Sequence, residues 1–178
     1  PFTTQIAPSS SLEAQIKDLI DTNRALVVVS AGNHVKPTMA IPSPSKRAQD
    51  YSPSNVPDAI TVAAFNEARQ FANSSNEGSS VDIIAPGENI RSIVPESLQG
   101  NCPQLLSGTS AAAAFVAGVL AQIVEAQTNN LLADPTNPVK SITKILTDNA
   151  ISGIASPANT THLALQSPYI EGTTGNPE

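Results

Sequence analysis

A short run of β-branched residues places the strongest limit on what this chain can fold into. Residues Ala25 to Ser30 read ALVVVS, which predicts a strand covered on both faces, as in a parallel sheet. Just before it, Ser10 and Glu13 have the spacing of a helix-capping box, and the apolar residues that follow predict a helix from Ser11 to Asn23. A helix that leads straight into a buried strand is typical of α/β proteins. We therefore predict an α/β fold, with a mainly parallel β-sheet flanked by helices.

The rest of the chain predicts one domain of 178 residues, long enough to bury a core. His34 to Pro57 is rich in Pro and Ser without a periodic apolar face, which predicts a long surface loop. After about Gly153 the composition predicts a loose polar tail with one short strand near Leu163 to Leu165. The other expected elements are strands at 59–64 and 81–85, an edge strand at 90–94, a buried helix at 111–124 and a last helix from Asn137-Pro138.

Charge and composition narrow the partners and the compartment. The net charge is -6 without a basic run, so the attraction to phosphate that nucleic-acid binding needs is missing. No stretch approaches the roughly 20 apolar residues of a membrane-spanning helix, so we expect no membrane partner. The sequons at Asn73 and Asn159, with many Ser, Thr and Pro, favour a secreted glycoprotein. The N-terminus has no initiator Met and no signal pattern, so we expect the chain to come from a longer one.

Two glycine-containing turns mark the end of one strand and the start of one helix, at residues 30–33 and 107–110. With a third segment between them, they resemble three consecutive motifs of the subtilisin-like serine proteases. The segments are VVVSAGN at 27–33, VDIIAPG at 81–87 and GTSAAAAFVAG at 108–118. The order of the three is what makes the resemblance specific. It covers about Leu12 to Leu165 and implies the C-terminal portion of that family's catalytic domain.

Ser110 is the candidate nucleophile. A serine at a helix N-terminus lies where free backbone N–H groups and the helix dipole favour developing negative charge, as acyl transfer requires. By position alone, a simple helix cap is the commoner use of such a serine. The resemblance implies that Ser110 forms the acyl-enzyme.

Asn33 is the candidate oxyanion donor. The resemblance implies that its amide and the N–H of Ser110 both hydrogen-bond the tetrahedral oxyanion. By position alone, an Asn that holds a left-handed turn after a strand is the commoner use. The resemblance also implies that His34 forms a wall of the primary specificity pocket and that Thr109 supports the oxyanion site. The full set of substrate-binding candidates is Ser30, Ala31, Gly32, His34 and Thr109.

The rest of a catalytic triad is not visible in the sequence. The family places its Asp in a D-S/T-G turn and its His in an H-G-T/S-H segment, both upstream of the strand that ends in Asn33, and neither motif is present. Of the two imidazoles, we expect His34 to lack the geometry for a Ser-His dyad and His162 to be a solvated loop residue. We therefore expect an N-terminal segment or chain of the same protease to supply both groups and to cover the open side of the strand at 27–29.

The expected function is that of a serine endopeptidase acting on polypeptides, with this chain inactive alone. Two alternatives remain open: a non-catalytic subtilase-derived binding protein, and an unrelated α/β binding domain. No cofactor is expected. No strong metal site is expected either, because Asn66 is a neutral amide where some family members place a calcium-binding carboxylate.

Overall fold

A five-stranded sheet forms the centre of the protein. A computed structural model describes residues 10–34, 45–92, 105–127, 138–155 and 161–165. The helices are α1 (Ser10–Asp21), α2 (Thr109–Gln127) and α3 (Pro138–Asp148). The strands are β1 (Val28–Ser30), β2 (Ile60–Phe65), β3 (Ile83–Pro86), β4 (Ile90–Arg91), β5 (Leu105–Leu106), β6 (Ile151–Ala155) and β7 (Thr161–Ala164).

The central sheet has the strand order β1-β2-β3-β7-β6 and is mainly parallel. β1, β2, β3 and β7 run parallel to one another, and β6 pairs antiparallel with β7 at the end of the sheet. The predicted fold class is therefore confirmed. Within the part of the chain that the structure describes, β1 pairs with β2 alone, so the predicted open side of this strand is also present.

Helix α2 packs along the sheet, and the face of the helix that is turned toward the sheet is buried. Alternate residues of β2 and β3 point toward it, as the period of a strand requires. The shared core includes Val62, Ala64, Ile83 and Ala85 of the strands and Ala112, Val116, Leu120 and Ile123 of the helix. Helix α1 buries Ile16 and Ile20 in a second cluster that includes Val29 of β1. The sheet is thus flanked by helices, as predicted.

By length and composition, α2 meets the requirement for a membrane-spanning helix over the 18 residues Thr109–Ala126, and it alone does so among the described residues. We expected no stretch of the sequence to approach such a helix, and α2 is an exception to that expectation. The helix nevertheless packs against three strands of the sheet, β1, β2 and β3.

The predicted loop at 34–57 contains no α-helix or strand in its described second half, but this half is partly buried and does not lie wholly on the surface. Residues 45–57 contain a 3-10 turn at Ala48–Asp50, and Ala48, Ser54 and Val56 are buried. The hydroxyl of Ser54 donates to the carbonyl of Ala48 at 2.7 Å, and the two apolar side chains join separate core clusters. Non-periodic segments can bury single residues through tertiary contacts, which a periodicity test does not detect. Residues 35–44 lie outside the described residues.

The predicted loose tail after Gly153 is wrong where the structure describes it. β6 and β7 form an antiparallel pair, and β7 joins the central sheet beside β3. The short strand expected at 163–165 is observed at Thr161–Ala164. Residues 166–178 lie outside the described residues.

Candidate active site

Asn33 is held at the carboxyl end of β1 by a short turn. Gly32 has φ +90°, a conformation that favours glycine, and a Cβ there would lie 2.7 Å from Nδ2 of Asn76. That same Nδ2 donates to the carbonyl of Ala31 at 3.1 Å, and the main-chain N–H of Asn76 donates to Gly32 at 2.9 Å. The turn is therefore fixed from both sides, and Asn33 follows it with an exposed side chain.

Ser110 is the second residue of α2, and its side chain is exposed. The helix starts sharply because Gly108, at φ +144°, turns the chain, and its carbonyl then accepts the N–H of Ala111 at 3.1 Å. Thr109 between them is fully buried. The serine therefore lies at the N-terminus of a 19-residue helix, where the first N–H groups lack partners within the helix.

One hydrogen bond joins these two turns. The main-chain N–H of Thr109 donates to Oδ1 of Asn33 at 3.1 Å. Oδ1 of Asn33 is thus used as an acceptor, and Nδ2 is the hydrogen-bond donor of the same side chain. Residues 76 positions apart in the sequence are thus brought together at the carboxyl edge of the sheet, where α/β proteins place their sites.

A third turn, at residues 87–89 after β3, packs against the turn at residues 107–110 that precedes α2. Gly87 accepts the N–H of Gly108 at 2.7 Å, and the N–H of Asn89 donates to Oγ of Ser107 at 3.0 Å. A Cβ at Gly87 would lie 2.6 Å from Cβ of Ala64 and 2.9 Å from the carbonyl oxygen of Gly108. Only glycine allows this approach. Sequence reasoning used Pro86-Gly87 as the end of the VDIIAPG motif and did not detect this packing role, for which the dipeptide was the available signal.

Comparison with known proteins identifies the family. The Subtilase family model matches residues 3–171. The chain belongs to the subtilase family. A subtilisin-like protease of Coccidioides posadasii is 44% identical over 104 residues, 58% of this chain and 25% of the relative. A cuticle-degrading serine protease of Arthrobotrys oligospora is 34% identical over 127 residues, 71% of this chain and 27% of the relative.

The fold agrees with this family membership. The crystal structure of a cold adapted subtilisin-like serine proteinase superimposes with a TM-score of 0.68 at 26% identity, covering 90% of this chain and 51% of the other. The subtilase chain therefore spans about half of that solved structure, and about a quarter of the curated relatives above. The predicted fold, a partial subtilisin-like domain, is confirmed.

Two of the candidate substrate-binding residues are buried in this subtilase chain. Ala31 is fully buried, and its N–H donates to Val62 at 2.8 Å while its carbonyl accepts Asn76. Thr109 is also fully buried, and its Oγ1 has no hydrogen-bond partner among the described residues. Both side chains are therefore packed beneath the surface of the site and do not line it. Ser30 and Gly32 are half-buried at the same edge.

His34 directly follows the proposed oxyanion donor. Its N–H donates to the carbonyl of Ser74 at 2.6 Å, and its ring is half-buried. Burial lowers the pKa of His34 below its usual value, and the positive charge of Lys46 lowers it further. A neutral imidazole is therefore favoured at the edge of the site.

Among the residues that the structure describes, none acts as a base toward Ser110. Within the described ranges, no imidazole or carboxylate is hydrogen-bonded to its side chain, and no group of three or more His, Cys, Asp or Glu could hold a metal ion. His162 lies in β7 rather than in a loop. Asn66 directly follows β2, and its Oδ1 accepts the main-chain N–H of Gln70. Asn73 is exposed in a turn, and Asn159 lies outside the described residues.

Proposed function

We propose that Ser110 is the nucleophile of a serine endopeptidase and that Asn33 stabilises the oxyanion. The hydrogen bond from the Thr109 N–H to Oδ1 of Asn33 carries this proposal, because it holds the Asn33 amide against the residue that precedes Ser110. A helix cap would not need a distant Asn in that orientation.

In this mechanism Oγ of Ser110 attacks the scissile carbonyl and passes its proton to a base. The negative charge that develops on the carbonyl oxygen accepts hydrogen bonds from Nδ2 of Asn33 and the N–H of Ser110. The amine leaves with a proton from the base, and water then hydrolyses the acyl-enzyme. The residues of this chain thus supply the nucleophile and the oxyanion donors.

The base and its orienting carboxylate come, in this proposal, from an N-terminal segment or chain of the same protease. Two surfaces of the described residues support this: the open edge of β1 and the exposed side of α2. Beside α2 a mainly apolar groove of about 440 Å³ is lined by Ile90, Leu106 and Phe115. Exposed apolar surface of this kind indicates an interaction site. The chain alone is therefore inactive.

The proposed enzyme acts on polypeptides and is secreted. The names of the relatives support both statements, since they include a cuticle-degrading serine protease and an alkaline protease. The two sequons support secretion independently of the names. No nucleic-acid or membrane partner is part of the proposal.

The second candidate is a non-catalytic subtilase-derived binding protein, which the lack of a base beside Ser110 among the described residues favours. The two candidates differ in one experiment. In the complete protease that contains this chain, Ser110→Ala should abolish peptide hydrolysis, whereas Ser79→Ala, at an exposed serine in a turn, should leave it unchanged. Absence of hydrolysis by the complete wild-type protein, with its fold shown intact by circular dichroism, would establish the binding protein instead.

A further inference from the structure

The sequon at Asn73 to Ser75 lies beside the candidate active site. The carbonyl of Ser74 accepts the N–H of His34 at 2.6 Å, and Ser75 pairs with Asn33 in an isolated antiparallel bridge. Asn73, which would carry the glycan, is therefore followed directly by two residues, Ser74 and Ser75, that pair with Asn33 and His34.

Asn73 is itself suited to carry a large group. It is exposed and lies in a turn that the N–H of Ser75 closes onto the carbonyl of Ala72 at 2.9 Å. Ala72 and Ser75 are 1% and 3% exposed, so the turn is anchored in the protein on both sides of the exposed amide. A glycan at Asn73 would extend into solvent without displacing the core.

Ser75, the third residue of the sequon, indicates whether glycosylation comes before or after folding. The hydroxyl of Ser75 donates to the carbonyl of Asn76 at 2.9 Å and accepts the N–H of Ala64 at 3.1 Å. Because the sequon is recognised through its hydroxyl residue as well as its Asn, the folded protein does not present it. The glycan must be added before the segment folds against β2.

We propose that Asn73 carries an N-linked glycan, added before folding, that stands at the rim of the substrate cleft and excludes folded protein substrates. A glycan is bulky and hydrophilic. A short peptide needs room only along the cleft, whereas a folded substrate must bring a wide surface against the edge at His34 and Ser74. The selectivity rests on the proposed function; the modification does not.

Occupancy is tested in the complete protease, secreted from a eukaryotic host. Peptide mass spectrometry before and after peptide:N-glycosidase treatment should show conversion of Asn73 to Asp. Ser75→Thr, which keeps the sequon, should remain modified, and Asn73→Gln should not be modified. An unmodified Asn73 in the secreted wild-type protein would overturn the proposal, even if the enzyme is fully active.

Selectivity is tested by kcat/KM on a short peptide and on a folded protein. Enzymatic deglycosylation of the wild type and Asn73→Gln should each raise kcat/KM severalfold for the folded protein and leave it unchanged for the peptide. Equal changes on both substrates, or none, would overturn the role at the rim. An inactive enzyme with an occupied Asn73 would instead refute the proposed function and leave the modification established.

Discussion

The two faces of α2 are both apolar but meet different surroundings. The side chains toward the sheet are at most 3% exposed, and these are Ala112, Val116, Leu120 and Ile123. The side chains on the outer side are exposed and mainly apolar, with Gln122 and Glu125 as polar exceptions; the apolar ones include Ala114, Phe115, Ala117 and Ala121. A surface helix usually carries polar residues on its outer face, whereas a helix that is apolar all round is usually buried on all sides.

The proposed nucleophile, Ser110, belongs to the exposed face of α2, here called the open face. Ser110 is followed by Ala114 and Ala117 at helical spacing, while its neighbour Thr109 is fully buried on the opposite face. The covered face therefore fixes the position of the backbone under Ser110, and the open face leaves the hydroxyl accessible. In our account the segment that covers the open face also brings the base to this hydroxyl.

Truncation of one apolar residue on each face gives the largest expected difference. In the isolated chain, Ile123→Ala should lower the free energy of unfolding by about 2–5 kcal/mol, because it removes a fully buried side chain. Phe115→Ala, at a side chain that is 43% exposed, should change it by about 0.5 kcal/mol or less. In the complete protease Phe115→Ala should cost about 3–5 kcal/mol. Urea unfolding measures all three, and equal losses from both truncations in the isolated chain would show that the open face is already covered.

Loss of the Asn33 amide should affect catalysis rather than folding. Asn33→Ala in the complete protease should lower kcat about a hundred- to thousandfold with little change in KM, a magnitude taken from the loss of the equivalent donor in a subtilisin. Asn66→Ala is the matched control, because Asn66 also follows a strand and also accepts a main-chain N–H. Steady-state kinetics should show no change in kcat for the control, and a comparable loss in both variants would contradict the assigned role.

Two glycines should respond in opposite directions to alanine. Gly108→Ala should cost about 1–3 kcal/mol, since φ is +144° there and the new Cβ would press on the side chain of Asn33 at 3.3 Å. Gly118→Ala should stabilise the isolated chain by about 0.5–1 kcal/mol, because no atom lies within 4 Å of its Cβ position on α2. Thermal unfolding of both variants tests this, and a destabilised Gly118→Ala would mean that the open side of α2 is already occupied.

The smallest expected effect is a pH dependence at His34. Its pKa is lowered in the folded protein, by burial first and by Lys46 second. The unfolded chain therefore binds a proton that the folded protein disfavours, so the contribution to stability is complete above pH of about 6.5 and is lost as the pH falls toward the folded pKa. His34→Gln should flatten the part of the stability profile that lies below about pH 6.5. An unchanged profile would contradict the assignment.

Local sequence was sufficient for the elements whose signals are local. The ALVVVS run and the capping box at Ser10 predicted β1 and α1, although β1 is shorter than the run. The buried residues at 45–57 could not be predicted in this way, because the residues that bury them lie in other segments of the chain. Ala48, for example, is buried by contacts with a cluster that includes Phe71 and Ala63.

The same distinction applies to the site. Resemblance of three motifs predicted that Asn33 and Ser110 share one site, and this stays a prediction beyond the observed bond from the Thr109 N–H to Asn33. It could not predict the amide of Asn76 that holds the turn at Gly32, nor the close packing at Gly87, since both depend on distances between separate turns. Burial of Thr109 and Ala31 likewise follows from the packed sheet and not from their residue types.

Labelling of Ser110 by a serine-directed phosphonate tests the central claim most directly, because the probe reacts only with an activated hydroxyl. The wild-type chain and Ser110→Ala are compared, each alone and within the complete protease. Our account predicts labelling of the wild-type complete protease and none in the other three samples. Strong labelling of Ser110 in the isolated chain would show that a base within these residues activates it, and would contradict the account.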